Sequence, residues 1–142
     1  MTMFRSSPVL LAAAGWLAVQ SAACTPTPTP SCAPPAVSMA VTELYFGRNI
    51  SGGGEVSDAD WRRFLDEVVT PRFSKGFTVL DGEGQYRMSD GAIARERSKV
   101  LVVIAEGGDA GLLLAEVAAE YKRRFRQESV LRRDGASCVS FP

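Results

Sequence analysis

Apolar and polar residues alternate in the first part of the chain that has a regular pattern. Residues 39–47 read MAVTELYFG. Leu44 and Phe46 would lie on one face of a strand, and Glu43 and Tyr45 on the other. The spacing therefore predicts a first strand with one apolar face.

After residue 56, the apolar residues recur at the spacing of a helix. Ser57 suits the N-cap position, and Asp60 follows three residues later, as in a capping box. Because Pro71 cannot continue a helix, the helix is predicted to end at about Thr70. Its apolar stripe consists of Trp61, Phe64, Leu65, Val68 and Val69.

Two strands joined by a tight turn are predicted next. Residues 77–88 form the second strand, with a bulge at 81–84, where two glycines lie close together. Asp90-Gly91 is a strong signal for a two-residue hairpin turn. Residues 92–105 form the returning strand.

That turn fixes the expected pairing of the two strands, with Val79 opposite Val102 and Phe77 opposite Ile104. The pairing makes both faces of the sheet apolar, and one face needs a cover. We expect a second copy of the chain to supply it, giving a homodimer. A ligand or another envelope protein would also serve. The expected faces are Phe77, Val79, Val100, Val102 and Ile104 on one side, and Leu80, Leu101 and Val103 on the other.

A second helix and a fourth strand complete the pattern. The helix follows residues 107–109, and the strand spans 129–141 with an interruption at 134–135. The order β-α-β-β-α-β predicts an α+β, ferredoxin-like fold (a split βαβ unit). Right-handed crossovers give a four-stranded antiparallel sheet of order 4-1-3-2 with two helices on one face. The buried stripe of the second helix is Leu114, Val117, Ala118, Tyr121 and Phe125.

The chain ahead of this domain is predicted to direct export. Residues 1–23 have one charge, an apolar run and the small residues Ser21-Ala22-Ala23, as in a signal peptide. Cys24 follows in a sequence that resembles a lipobox, which predicts lipidation and anchoring to a membrane. Plain cleavage after Ala23 is the alternative. Residues 24–37 are a Pro- and Thr-rich tether, and residues 38–142 form one domain.

Composition excludes several kinds of function. Cleavage of the predicted signal peptide would remove one of the 16 basic residues and none of the 16 acidic ones. Without a basic excess, nucleic acid is not expected as a partner. The chain has no His, which removes the commonest general base and metal ligand, and we predict no metal site and no cofactor. If Cys24 is lipidated, Cys32 and Cys138 remain as a pair, and the topology would bring them together in a disulfide.

The glycines at 52–54 do not match a phosphate-binding loop, because the Lys of a P-loop is missing and Glu55 would repel an anion. We interpret them as a turn. The topology brings the end of the first strand close to the exit of the second helix, which predicts a polar binding rim. The alternative is that Arg48 and Glu128 only pair with each other and fix the loop. The predicted rim consists of Tyr45, Arg48, Asn49, Gln127 and Glu128.

Several longer segments of the sequence resemble a known family. ELYFGRNISGGGEVSDADWRRFLDEVVTPRF, FTVLDGEGQYR, SKVLVVI and YKRRFRQESVLR are similar to a bacterial family of small exported proteins, domain of unknown function number thirty-five seventy-four. The resemblance implies export to the cell envelope and supplies no activity or catalytic residue. We therefore predict a binding or interaction module of the envelope or periplasm. A small cofactor-independent enzyme that uses the polar rim is the alternative.

Overall fold

The computed structural model describes residues 31–87, 91–105 and 108–141, without the side chain of Tyr86. The predicted signal peptide, Cys24 and most of the predicted tether lie outside these ranges. The described chain contains four strands and two helical segments. The strands are β1 (Val37–Gly47), β2 (Thr78–Arg87), β3 (Ile93–Ala105) and β4 (Leu131–Val139). The helical elements are α1 (Asp58–Phe64), a π-helical turn (Leu65–Val69), α2 (Thr70–Arg72) and α3 (Ala110–Phe125).

The strands form one antiparallel sheet in the order β2-β3-β1-β4. This is the predicted order 4-1-3-2 counted from the opposite edge, so the predicted α+β fold is confirmed. β3 and β1 occupy the centre, as the apolar run in β3 requires.

The predicted register between β2 and β3 is wrong by one residue. Val79 lies opposite Leu101, not Val102, and the pairing continues to Arg87 opposite Ile93. The predicted Asp90-Gly91 turn lies partly outside the described residues, which stop at Arg87 and begin again at Gly91. A one-residue shift moves every side chain of β2 to the other face, so Phe77 and Val79 pack on the core beneath the helices.

Two predicted strand interruptions are also absent from the described sheet. The pairing of β2 with β3 runs without a break through residues 81–84, and that of β4 with β1 through residues 134–135. Both strands are at an edge of the sheet, where a glycine weakens packing without breaking a ladder on two sides. Glycine signals in these strands therefore do not mark bulges.

The first helical segment extends past the predicted end at Thr70 to Arg72. A π-helical turn precedes Pro71, and the Thr70 amide donates to the Leu65 carbonyl five residues back. Pro71 then lies at the start of α2, where its missing N–H is not needed. The Arg72 guanidinium donates to the Val68 carbonyl at 2.8 Å, which caps the helix exit.

An aromatic cluster forms the centre of the core between sheet and helices. The Phe46 ring on β1 lies 4.6 Å from the Tyr121 ring and 5.3 Å from the Trp61 ring, centroid to centroid. Phe64 contacts both Phe46 and Tyr121 edge to face. Each such pair adds about 0.5–1.5 kcal/mol beyond its buried area, so the cluster fixes both helical segments against β1.

The face of the sheet away from the helices remains largely apolar and has no cover among the described residues. Leu80, Ile104 and Leu131 are 52%, 45% and 64% exposed. Val41 and Val102 lie on the same face by register. We call this surface the open face.

Cys32 and Cys138, the expected pair, are joined by a disulfide. The bond attaches the segment ahead of β1 to the end of β4. Among the described residues no helix has both the length and the apolar character needed to cross a membrane.

Replacing both cysteines, as Cys32→Ser with Cys138→Ser, should lower the free energy of unfolding by about 2–4 kcal/mol, because the bond restricts the unfolded chain. Urea denaturation of the two proteins measures the difference. Added reductant should destabilise the wild type and leave the double variant unchanged. Equal stability of the two proteins without reductant would contradict a structural role for the bond.

Candidate functional site

A cleft of about 570 Å³ opens where β1 leaves the sheet. One wall is the β1 exit, a second is the segment between α3 and β4, and the floor is the adjoining end of β2 and β3. The lining combines polar and apolar surface in nearly equal parts. The lining residues are Tyr45, Gly47, Asn49, Ile50, Ser51, Gly84, Gln85, Glu96, Ser98, Arg126, Gln127, Glu128, Ser129 and Leu131.

Glycines leave room for the polar side chains on this floor. Gly47 lies opposite Ser98, and Gly84 lies opposite Glu96. A Cβ atom on Gly47 would approach the Glu96 carboxylate to 2.5 Å, a distance that real Cβ atoms do not reach. Glycine at position 47 thus allows the carboxylate to lie across the end of β1.

Hydrogen bonds hold the two walls together. The Gln127 amide Nε2 donates to the Asn49 carbonyl at 2.6 Å. The Asn49 backbone N–H donates to Glu96 Oε1 at 3.0 Å. The Tyr121 hydroxyl donates to the Gly47 carbonyl at 2.8 Å. The shape of the cleft is therefore built into contacts between β1, β3 and α3.

Tyr45 borders the cleft on the open face. Its hydroxyl donates to Glu43 Oε2 at 2.6 Å, and Arg133 Nη1 donates to Glu43 Oε1 at 2.7 Å. The hydrogen bond to Glu43 raises the pKa of Tyr45, so the phenol stays protonated at neutral pH. Its ring is an aromatic wall with a fixed hydroxyl.

Four of the five predicted rim residues line this cleft: Tyr45, Asn49, Gln127 and Glu128. Arg48 does not, because successive residues of an extended strand point to opposite sides. Its side chain is 3% exposed and lies on the helix side. The alternative pairing of Arg48 with Glu128 is not present either.

Arg48 instead binds the segment that leads into α1. Its Nε and Nη2 donate to the Val56 carbonyl at 2.8 and 2.6 Å. Nε lies 3.0 Å from Glu55 Oε1, and Nη1 lies 3.2 Å from Asp58 Oδ1. Nη1 is buried and has no hydrogen-bond partner within the part of the chain that the structure describes.

Lys99 joins the same charged group. Its ammonium lies 3.2 Å from Asp58 Oδ1 and also binds Asp81. The hydrogen bond from Lys99, followed by the charge of Arg48, lowers the pKa of Asp58. Two cations, both more than nine-tenths buried, are thus balanced by carboxylates at the edge of the core.

The glycine loop is a closed turn, as interpreted from the sequence. Gly52, Gly53 and Gly54 all have positive φ. The Gly53 amide donates to the Ile50 carbonyl, and the Ile50 amide donates to the Gly54 carbonyl. These bonds use the loop's own amides to close it.

Sequence reasoning missed Glu96, Ser98 and Arg126 as cleft residues. Residues 95–98 read RERS, a polar end on an otherwise apolar strand. With the correct register, the even-numbered residues of β3 face the same side as Tyr45 and Gly47. The signal was present, but the face could not be assigned without the pairing.

A second cavity of about 600 Å³, lined in part by Arg72, lies at the opposite end of the domain. Met39, Phe73, Leu113 and Phe141 contribute apolar walls. In the described ranges, no group of three Cys, Asp or Glu side chains has the geometry to hold a metal ion.

Comparison with known proteins confirms the family resemblance. Residues 41–141 match the family model described as a protein of unknown function (DUF3574). None of the curated proteins matches the chain significantly.

Solved structures of a phage SAM lyase share the fold. The form in complex with S-methyl-5'-thioadenosine has a TM-score of 0.53 and 16% identity, and the alignment covers 72% of this chain and 90% of that one. The apo form has a TM-score of 0.53 and 15% identity, with 73% and 90% covered. At these identities the likeness concerns the fold alone.

Arg48→Ala should lower the free energy of unfolding by about 2–4 kcal/mol, because it leaves the Val56 carbonyl without its side-chain donor and removes one of the two cations beside each of Glu55 and Asp58. The matched control is Arg63→Ala. Arg63 is an exposed side chain that pairs with Asp60, and its loss should cost no more than about 1 kcal/mol. Chemical denaturation measures both. An Arg48→Ala protein of unchanged stability would instead make Arg48 a functional group.

Proposed function

This chain belongs to the DUF3574 family of proteins of unknown function, and from the geometry of its cleft we propose that it is a binding module for a small polar ligand. One observation carries the proposal. Hydrogen-bonding groups from three separate parts of the chain converge on one preformed cleft of ligand size. The groups are side chains of opposite charge, amides, hydroxyls and an aromatic ring.

We propose that the module works in the cell envelope, attached through Cys24 to a membrane. The leader and the lipobox-like sequence support export. The disulfide between Cys32 and Cys138 supports an oxidising compartment such as the periplasm. Anchoring through the tether would leave the cleft free to sample ligands there.

Filling the cleft should abolish ligand binding without unfolding the domain. A Cβ atom added at Gly84 meets nothing within 4 Å, so Gly84→Val places a β-branched residue on a strand and projects it into the cleft. We expect a stability change below about 1 kcal/mol. Native mass spectrometry of the mature protein, purified from the envelope, should show a small-molecule adduct on the wild type and none on Gly84→Val.

Gly135→Val is the matched control, since Gly135 is also a strand glycine with nothing within 4 Å and does not line the cleft. It should retain the adduct. An adduct that persists on Gly84→Val, or a wild type that carries none, would count against the proposed function.

A small enzyme is the second candidate, favoured by a half-buried carboxylate, Glu96, in the same cleft as the Ser98 hydroxyl. Carboxylates serve as general acids and bases, and the phage SAM lyase shows that a similar fold can support an enzyme. The two candidates differ in the fate of the ligand. A binding module returns the recovered ligand unchanged after incubation, whereas an enzyme converts it.

We further propose that a second copy of the chain covers the apolar half of the open face. Leu80 and Ile104 are about half exposed there. The nearest charges, Glu43 and Arg133, neutralise each other, so two copies of this face would not repel. A two-fold stack would bury both apolar surfaces at once. The cleft occupies the other half of the face.

Ile104→Lys should convert the dimer to a monomer, because it places a charge at the centre of the apolar half. Leu112→Lys is the matched control. Leu112 is 69% exposed on α3, away from the sheet, and its replacement should leave the dimer intact. Native mass spectrometry or sedimentation gives the mass of each protein. A monomeric wild type would contradict the proposed dimer.

A further inference from the structure

We propose that the ligand of the cleft is a small organic cation and that Glu96 supplies its counter-charge. The inference rests on the proposed function, since it names the class of ligand for the same cleft. It depends on the surroundings of Glu96, which differ from those of the other carboxylates in the described chain.

Most acidic side chains in the described ranges have a cation within 4 Å. Glu55 and Asp58 bind Arg48, Glu43 binds Arg133, and Asp134 binds Arg132. Glu96 is half-buried, yet no Lys or Arg of the described residues pairs with it. The other acidic residues without such a pair, all exposed, are Asp66, Glu83, Asp109 and Glu128.

An unpaired carboxylate has little free-energy cost in water, but the cost rises as the carboxylate is withdrawn from solvent. Glu96 is held in its partly buried position. Asn49 donates its backbone N–H to Oε1, and the bare Cα of Gly47 lies against the carboxylate. The structure thus keeps a negative charge on the cleft floor without a cation to balance it.

Glycines lie beside Glu96 on both neighbouring strands. Gly84 is its direct partner on β2, and a Cβ there meets nothing. On β1, Gly47 is the nearest residue of the same face. Neither glycine places a side chain between the carboxylate and the open face.

The rest of the lining suits a positive charge. Glu96 and Glu128 face a single basic residue, Arg126, so the cleft has one negative charge in excess. The Tyr45 ring borders the same space, and aromatic faces attract ammonium and related cations. A neutral ligand could donate a hydrogen bond to Glu96 but would leave its charge unbalanced, and an anion would be repelled, whereas an ammonium group would donate a hydrogen bond and balance the charge.

The test uses two probes of equal chain length that differ in charge, putrescine and butanediol, titrated into the mature full-length protein. Amide chemical shifts of Gly47, Gly84 and Ser98 report binding on the cleft floor. Putrescine should shift these amides, and butanediol at the same concentration should not.

Glu96→Gln should weaken putrescine binding roughly tenfold, because the hydrogen bond to a charged acceptor is lost. Gln keeps the shape and can still accept from the Asn49 amide, so the fold should persist, as unchanged shifts elsewhere would show. Glu83→Gln is the matched control. It removes the same charge from the strand beside Glu96, but on the helix-facing side by register, and it should leave the affinity unchanged.

Three results would overturn the inference: no shift with putrescine, equal shifts with butanediol, or equal weakening by Glu83→Gln and Glu96→Gln. The last would mean that putrescine senses only overall charge. These failures are distinct from failure of the proposed function. If the wild type carries a neutral adduct that Gly84→Val abolishes, the cleft is a binding site, but its ligand is not a cation.

Discussion

The burial of one guanidinium governs how the chain leaves the sheet. Arg48 directly follows the last residue of β1 and is enclosed by the core. A buried cation requires acceptors on all sides, and here the Val56 carbonyl, Glu55 and Asp58 supply them. All three belong to the segment that enters α1. The requirement to satisfy Arg48 therefore folds residues 49–57 into a closed loop and sets the position of the first helix.

This arrangement also separates two regions with different tasks. Because adjacent residues of an extended chain face opposite ways, Arg48 points to the helices while Gly47 and Asn49 border the cleft. Arg48 and Lys99, the cations on the core side, form ion pairs with Asp58 and neighbouring carboxylates. On the open side, Glu96 has no such partner among the described residues. On the core side of β1, positive and negative charges are thus paired. On the cleft side, the charge of Glu96 has no opposite charge beside it among the described residues.

The elements and their order were predictable from the sequence because they depend on local periods and caps. Leu44 and Phe46 reveal a strand by alternation, and Trp61, Phe64 and Val68 reveal a helix by spacing. Chain direction and crossover handedness then determine which strand lies beside which. The same reasoning brought Tyr45, Asn49, Gln127 and Glu128 to one end of the sheet, where they line one cleft.

Register and facing direction were not predictable, because a shift of one residue in strand pairing reverses them. Such a shift between β2 and β3 exchanged the faces of Val79 and Leu80, and the face of Glu96 depends on the pairing of β1 with β3. Likewise, nothing local distinguishes Arg48 from an exposed arginine. Its burial depends on acceptors that only the folded loop brings within reach.

The disulfide has a mechanical consequence. It joins the chain ahead of β1 to the last residues of β4, two strands that lie side by side. A pulling force applied ahead of Cys32 would be divided between a central strand and an edge strand. Neither strand could be peeled from the sheet alone, since both would have to slide against their neighbours together. If the domain is tethered as we propose, this load sharing would resist distortion of the cleft at the opposite end of the sheet.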